Sequence, residues 1–331
     1  MFLAEAPCYN PGMRVLVTGA AGFLGSAFVR LLGRERPDWE VTVMDKLTYA
    51  GDLRRLKDAR FHFTHGDILD ARLAADTLLD QDAVVHFAAE TFVDRSISRP
   101  QDFIRTNVMG TQALLEGSRL VWEGAPRAFL HVSTDEVYGP VPQGRAVEDW
   151  PFRPSSPYSA SKVGAEAIVR AYNITYGMRT LVIRPCNGFG PFQHPEKLVP
   201  RMTARALTGR KLPLYGSGTQ KREWLHADDI AAAALVVLEN GEPGGVYNVG
   251  SGHEEENLAV VRKILELAGA PESLVDHVRD RPGHDIRYAL DSSRIRAIGW
   301  EPRVEFDAAL AETVAWFREN RSWWEAVAEE V

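Results

Sequence analysis

Apolar and polar positions follow two registers along this chain. Short unbroken apolar runs, each closing on a small or polar residue, recur at 14–18, 41–45, 61–63, 83–87, 128–132 and 180–184. Runs of this length without alternation read as strands covered on both faces. Between them, apolar residues return every three or four positions: Phe28, Val29, Leu31 and Leu32 after the first run, then Phe103, Ile104, Val108, Leu114 and Leu115 across 100–120. These segments read as amphipathic helices. Strand and helix alternating from residue 13 to residue 186 predicts an α/β fold, a Rossmann-type doubly wound parallel sheet.

Beyond residue 187 the pattern changes. Turn-rich stretches at 195–196 and 216–218 separate shorter elements, with helices predicted at 228–238, 257–267 and 306–317. Trp323 and Trp324 read as core or interface aromatics. The expected organisation is a flexible extension over 1–12, a dinucleotide-binding domain over 13–186, and a smaller C-terminal α/β region over 187–331, interwoven with the sheet.

Composition narrows the class only a little. The chain has 331 residues, 45% hydrophobic and 25% charged, with a net charge of -7 that disfavours general attraction to nucleic acid. Two cysteines, Cys8 and Cys186, make no disulfide framework, and a reducing compartment suits them. No apolar run approaches membrane-spanning length, and the first dozen residues lack the basic start and apolar core of a signal peptide. A soluble cytoplasmic protein is expected.

The first apolar run passes straight into Gly19-Ala20-Ala21-Gly22-Phe23-Leu24-Gly25 and then a helix. Glycines there permit a tight turn and close approach to a diphosphate, which the helix N-terminus attracts. The three-then-three spacing of Gly19, Gly22 and Gly25 differs from the two-then-three dehydrogenase fingerprint. The second run ends in Asp45, about 20 residues after the last glycine, where an acid suits both hydroxyls of an adenosine ribose and repels a 2′-phosphate. NAD is therefore favoured over NADP, with a capping role for Asp45 as the plainer reading. His65 and His86 have no second ligand at metal-like spacing, so no metal site is expected.

The fifth run leads into Ser133-Thr134-Asp135-Glu136-Val137-Tyr138-Gly139, just past the carboxyl end of a buried strand. Tyr158 and Lys162, four residues apart, fall on one face of a helix, where the ammonium is expected to lower the phenol pKa. A hydroxyl, two acids, a phenol and a lysine suffice for several proton transfers around one small substrate.

These residues resemble the extended short-chain dehydrogenase/reductases and, within them, the NAD-dependent dTDP-glucose 4,6-dehydratase family. The likeness rests on the glycine turn, Asp45-Lys46-Leu47-Thr48-Tyr49-Ala50-Gly51, His65-Gly66-Asp67-Ile68, Val93-Asp94-Arg95-Ser96-Ile97, the Thr-Asp-Glu stretch, Tyr158-Ser159-Ala160-Ser161-Lys162, Pro195-Glu196-Lys197-Leu198 and Asp280-Arg281-Pro282-Gly283-His284-Asp285. It implies an enzyme that oxidises carbon 4 of a nucleotide-linked glucose, eliminates water across carbons 5 and 6, and returns the hydride to carbon 6. Thr134 would hold the 4-hydroxyl, Tyr158 take its proton and Lys162 steady the phenolate and the nicotinamide ribose. Asp135 would be the general acid and Glu136 the general base. Phe23, Leu24, Asp45, Lys46, Leu47, Thr48, Asp67, Ile68, Ala88, Ala89 and Thr106 would line the NAD site. Thr91, Thr134, Asn187, Lys197, Leu198, Pro213, Tyr215, Arg222, Asn257, Arg281 and His284 would face dTDP-glucose. The resemblance also implies a homodimer built on the helices at 100–120 and 159–176. Three positions depart from the family pattern: Thr91 stands for Ser, Gly188 for Asn, and His226 for Tyr.

Overall fold

The computed structural model describes residues 12–328, so the extension expected over 1–12 lies outside the described residues but for Gly12. Twelve strands occur among them. The first six are β1 (Arg14–Thr18), β2 (Glu40–Asp45), β3 (His62–His65), β4 (Ala83–His86), β5 (Ala128–Val132) and β6 (Arg179–Pro185). Then come β7 (Asn187–Phe189), β8 (Leu212–Tyr215), β9 (Lys221–His226), β10 (Val246–Val249), β11 (Glu254–Glu256) and β12 (Val275–Val278). One parallel sheet runs in the order β10-β6-β5-β4-β1-β2-β3. Smaller sheets, β11-β9-β7 and β12-β8, stand beyond the carboxyl-end side of the chain's first half.

The unbroken apolar runs have a direct cause. Val15 and Val17 pack into one core with Phe28 and Leu32, whereas Leu16 packs into another with Leu114 and Phe129. Both faces of β1 are covered, so both registers must be apolar. The strand β10 was not expected, because its Val246-Tyr247-Asn248-Val249 run is short and interrupted by an amide. It joins the edge beside β6, pairing Asn248 with Arg184. The Asn248 amide is satisfied inside: its Oδ1 accepts from the Tyr138 hydroxyl at 2.7 Å, and its Nδ2 donates to the Ala146 carbonyl at 2.8 Å.

The helix expected at 100–120 is longer and irregular. It comprises Pro100–Phe103, a π-helical segment Ile104–Gly110 and Thr111–Trp122. The irregularity follows from tertiary bonds at Asn107, whose Oδ1 accepts from the Glu90 N–H at 2.8 Å. Its Nδ2 donates to the Glu90 carbonyl at 3.0 Å and the Ser161 hydroxyl at 2.8 Å. Such π segments recur at functional sites.

The C-terminal residues form their own core around Phe189, Trp224, Ile264, Phe306 and Leu310. The helices predicted there appear as Ala227–Asn240, Asn257–Ala268 and Phe306–Glu319. Trp324 is buried, with its Nε1 donating to the Phe317 carbonyl at 2.7 Å, while Trp323 is half-buried.

A buried ion pair fastens the Pro157–Tyr176 helix to the sheet. Arg184 on β6 gives Glu166 a bond of 2.6 Å and also donates to the Tyr138 hydroxyl and the Glu148 carbonyl. Both side chains are 4% exposed. Removing one partner leaves the other charge buried and unpaired, so Arg184→Met should destabilise the fold by about 3–5 kcal/mol in urea titration.

Candidate active site

The strand order reverses between β1 and β4, and there the sheet opens into a cavity of about 350 Å³. Open α/β sheets bind ligands at such reversals. The glycine turn forms one wall. Gly19 has φ +69°, and a Cβ on it would lie 2.5 Å from the Ala88 backbone. One on Gly25 would lie 2.5 Å from the Gly19 carbonyl oxygen. Gly22 caps the Phe23–Glu35 helix without a side-chain bond, and no acid stands in its first turn. Gly22, Phe23, Leu24 and Gly25 all line the cavity, so the leading N–H groups and the positive dipole end form an anion site.

Asp45 accepts from the Ala21 N–H at 2.9 Å and the Leu47 N–H at 2.8 Å. Burial raises its pKa, and these two bonds hold it back. The carboxylate is thus a clamp on its own loop as well as an acceptor in the cavity wall. Leu47 itself is not in the wall; it takes a left-handed φ of 53° and contributes its N–H to Asp45. Lys46, Thr48, Asp67, Ile68, Ala88, Ala89 and Thr106 do line the cavity, with Lys46 paired to Asp67 at 2.7 Å. His86 lies behind them between two hydroxyls, Thr18 at 2.7 Å and Thr111 at 2.9 Å.

At the end of β5, Thr134 caps the short Asp135–Tyr138 turn. Its Oγ1 accepts from the Glu136 N–H at 3.3 Å and donates to Asp135 Oδ1 at 3.2 Å. Burial raises both acids, but unequally. Asp135 goes well above the ordinary value, through burial, then Glu136, then Glu223. Glu136 is raised by burial but drawn back by Arg281, Lys197 and Arg222. Asp135 is biased more strongly than its neighbour to keep its proton.

Tyr158 and Lys162 lie one turn apart near the start of the Pro157–Tyr176 helix, which opens with a capping box between Ser156 and Ser159. Lys162 Nζ donates to the Val132 carbonyl at 2.7 Å and lies 3.4 Å from His131 Nε2. Its charge is engaged with the end of β5, and the expected lowering of the phenol is not seen. Burial and Glu136 push Tyr158 up, and the Thr134 hydroxyl is the group that opposes them.

Thr91, Asn187, Lys197 and Leu198 line the same cavity, with Lys197 Nζ donating to the Thr91 carbonyl at 2.6 Å. Pro213, Tyr215, Arg222, Asn257, Arg281 and His284 are not in its wall. Tyr215 and Arg281 meet on the Asp94 carboxylate at 2.8 and 3.4 Å, and His284 stands edge-on to Tyr215. Arg222 donates to the Asp285 carbonyl at 2.8 Å and lies over the Tyr288 ring. Asn257 opens its helix with a buried, unpartnered Oδ1, and Pro213 sits in β8 opposite Asp276. Arg222 and Arg281 nonetheless act on the cavity through their field at Glu136.

Two departures from the family pattern have local reasons. A Cβ on Gly188 would lie 2.9 Å from Ile230 Cδ1 and 3.3 Å from Leu24 Cδ2, so those side chains fill the space an Asn would take. His226 caps the Ala227–Asn240 helix, its Nδ1 accepting from the Asp228 N–H at 3.3 Å.

Sequence reasoning passed over Glu90, Gln193, His194 and Glu196 in the cavity wall. Glu196 accepts from the Tyr49 hydroxyl at 3.2 Å and leaves a buried Oε2 unpartnered. Its adjacency to Lys197 was the available signal; Gln193 and His194 belong to no motif. Ser133 Oγ, Asp135 Oδ2, Asn187 Oδ1 and Gln193 Oε1 are also buried without partners. A glycine cradle, an anion site, an acid bordering the cavity and polar atoms without hydrogen-bond partners together fit a dinucleotide with a polyhydroxylated second ligand.

This is the site of a Rossmann-type nucleotide-sugar enzyme, and residues 16–313 match the family model described as GDP-mannose 4,6 dehydratase. The chain belongs to this NAD-dependent epimerase/dehydratase family. Its likeness within the family is to dTDP-glucose 4,6-dehydratases. It is 47% identical to that of Streptomyces niveus, over 95% of each chain. A crystal structure of the Streptomyces venezuelae dTDP-glucose 4,6-dehydratase with NAD bound superposes with a TM-score of 0.92 at 48% identity, covering 95% of this chain and 100% of that one. A low-salt glycan biosynthesis protein of Haloferax volcanii is 47% identical over 92% of this chain and 98% of its own.

Burial lowers the Lys162 ammonium to about 8, with Glu166 opposing. Below that pH the proton is held, and above it the proton is lost. The turnover number should therefore fall as pH rises through about 8. A pH–rate profile of Lys162→Met should lack this alkaline limb.

Proposed function

We propose that this protein converts dTDP-D-glucose into dTDP-4-keto-6-deoxy-D-glucose and water, with NAD regenerated in each turnover, as a step in deoxysugar biosynthesis. The observation that carries the reading is the adjacent pair Asp135 and Glu136, raised unequally by their surroundings, beside Tyr158 in one cavity. A simple hydride transfer needs the phenol and lysine but has no use for two carboxyls of unequal proton affinity. An elimination does.

The proton at carbon 5 of glucose is barely acidic until carbon 4 becomes a ketone. Tyr158 takes the 4-hydroxyl proton, with Thr134 holding that oxygen and opposing the upward push on the phenol, and Lys162 steadying the nicotinamide ribose. NAD, which the glycine turn, Asp45, Thr48, Asp67 and Thr106 would hold, would supply the hydride acceptor for carbon 4 and the hydride donor for carbon 6. Glu136, raised by burial and drawn back by Arg281, Lys197 and Arg222, removes the acidified proton at carbon 5 and gives a proton back to carbon 5 once carbon 6 has been reduced. Asp135, kept protonated by burial, gives its proton to the departing 6-hydroxyl. Residues 13–186 serve the dinucleotide in this reading and 187–331 the nucleotide sugar. Thr91, Asn187, Lys197, Leu198, Tyr215, Asn257, Arg281 and His284 meet the nucleotide sugar. A homodimer belongs to the same proposal. It is supported by exposed apolar side chains on its two helices, Ile104, Met109 and Leu120 on one and Ile174 and Tyr176 on the other. No helix among the described residues is long and apolar enough to cross a membrane.

Incubation with dTDP-glucose should give a product lighter by one water, with the alkaline absorbance of a 4-keto-6-deoxy sugar and no net loss of NAD; an epimer of unchanged mass would refute the reading. Asp135→Asn should slow loss of water by about 10²–10⁴-fold while sparing the first hydride transfer, so NADH absorbance accumulates. Glu136→Gln should suppress solvent deuterium uptake at carbon 5 by a similar factor.

A further inference from the structure

Arg55 is a buried cation to which the reaction gives no task. It is 2% exposed and lies in the short turn Leu53–Leu56 that follows the Asp45 loop. Its Nε donates to the Phe192 carbonyl at 2.9 Å, and its Nη1 to the carbonyls of Ala21 at 2.8 Å and Ala50 at 2.7 Å. Ala21 belongs to the glycine turn, Ala50 to the loop after Asp45, and Phe192 to the segment that runs on to Lys197. Three segments distant in sequence converge on one guanidinium. The nearby acids are engaged elsewhere: Asp52 bonds Arg54, and Asp45 bonds the Ala21 and Leu47 N–H groups.

Phe192 is held in a conformation that L side chains rarely adopt, with φ +68°. Its ring lies 4.6 Å from that of Trp316, the Arg30 guanidinium stands 5.1 Å over it, and Arg55 lies 5.0 Å from the Trp323 ring. The residues immediately after the reversal turn their polar groups to the cavity. Gln193 Oε1, both His194 ring nitrogens and Glu196 Oε2 are buried without hydrogen-bond partners, His194 Nδ1 lying 3.8 Å from Glu196 Oε2.

We propose that Arg55 is a positioning residue that couples the dinucleotide site to the nucleotide-sugar segment. A dinucleotide seated on the glycine turn and the Asp45 loop restrains the Ala21 and Ala50 carbonyls that Arg55 bonds. The planar fork is then set, and through the Phe192 carbonyl it keeps the backbone reversed so that Gln193, His194, Glu196 and Lys197 face the cavity. The coupling is reciprocal: a nucleotide on that segment stiffens the fork and slows escape of the dinucleotide.

This inference rests on NAD and dTDP both binding this protein, and the test separates the two. The rate of NAD loss from diluted holoenzyme is measured with and without saturating dTDP, whose own binding is followed by calorimetry. In the unaltered protein dTDP should slow the loss about fivefold or more. In Arg55→Leu the ratio should fall to within about twofold of unity. Arg55→Lys keeps the charge and guards against a variant that does not fold; lacking the fork, it should lose at least half of the ratio. An unchanged ratio in either folded variant, even with a lowered melting temperature, overturns the proposal. So does an unaltered protein that binds dTDP with no effect on NAD loss. Failure of the unaltered protein to bind dTDP at all overturns the substrate reading and the coupling with it.

Discussion

Two neighbouring carboxyls stand buried at the end of one strand, and the cations around them weigh mainly on one. Burial raises Asp135 and Glu136 together. What divides them is the field of Arg281, Lys197 and Arg222 on Glu136, with Arg222 also drawing Asp135 down. Strand β5 delivers the acids, while all three cations come from beyond residue 187. Neither half of the chain contains the asymmetry by itself, which explains why the C-terminal sheets are folded against the carboxyl ends of the large one.

Much of this arrangement was readable from residue order. A strand covered on both faces has no polar register, so β1 and β5 announced themselves, at 14–18 and 128–132. The glycine turn was readable because Gly19 and Gly25 have no room for a Cβ, a local demand with a local signature. Tyr158 and Lys162 were placed on one helical face by spacing alone. The direction of Lys162 within that face was not, because a carbonyl of another element, Val132, decides it.

The features that escaped share a cause: each depends on a partner distant in the chain. Strand β10 is polar at Asn248 because Tyr138 and Ala146 satisfy the amide. Gly188 looked like the loss of a functional Asn, but the Leu24 and Ile230 side chains already occupy its space. Leu47 matches a family motif, yet it contributes a backbone N–H to Asp45 and no side chain to the cavity. Asp45 caps no helix among the described residues: its oxygens bind the Ala21 and Leu47 N–H groups and border the cavity.

The π-helical segment Ile104–Gly110 has a consequence for how this chain can change over time. Its inner side is pinned by Asn107 and lines the cavity through Thr106, while Ile104 and Met109 point outward to solvent. The wide turn sets where Thr106 meets the cavity and where Ile104 and Met109 meet the outside, so a change of side chain on one side bears on the other. The outer surface of the helix and the wall of the cavity must drift in step.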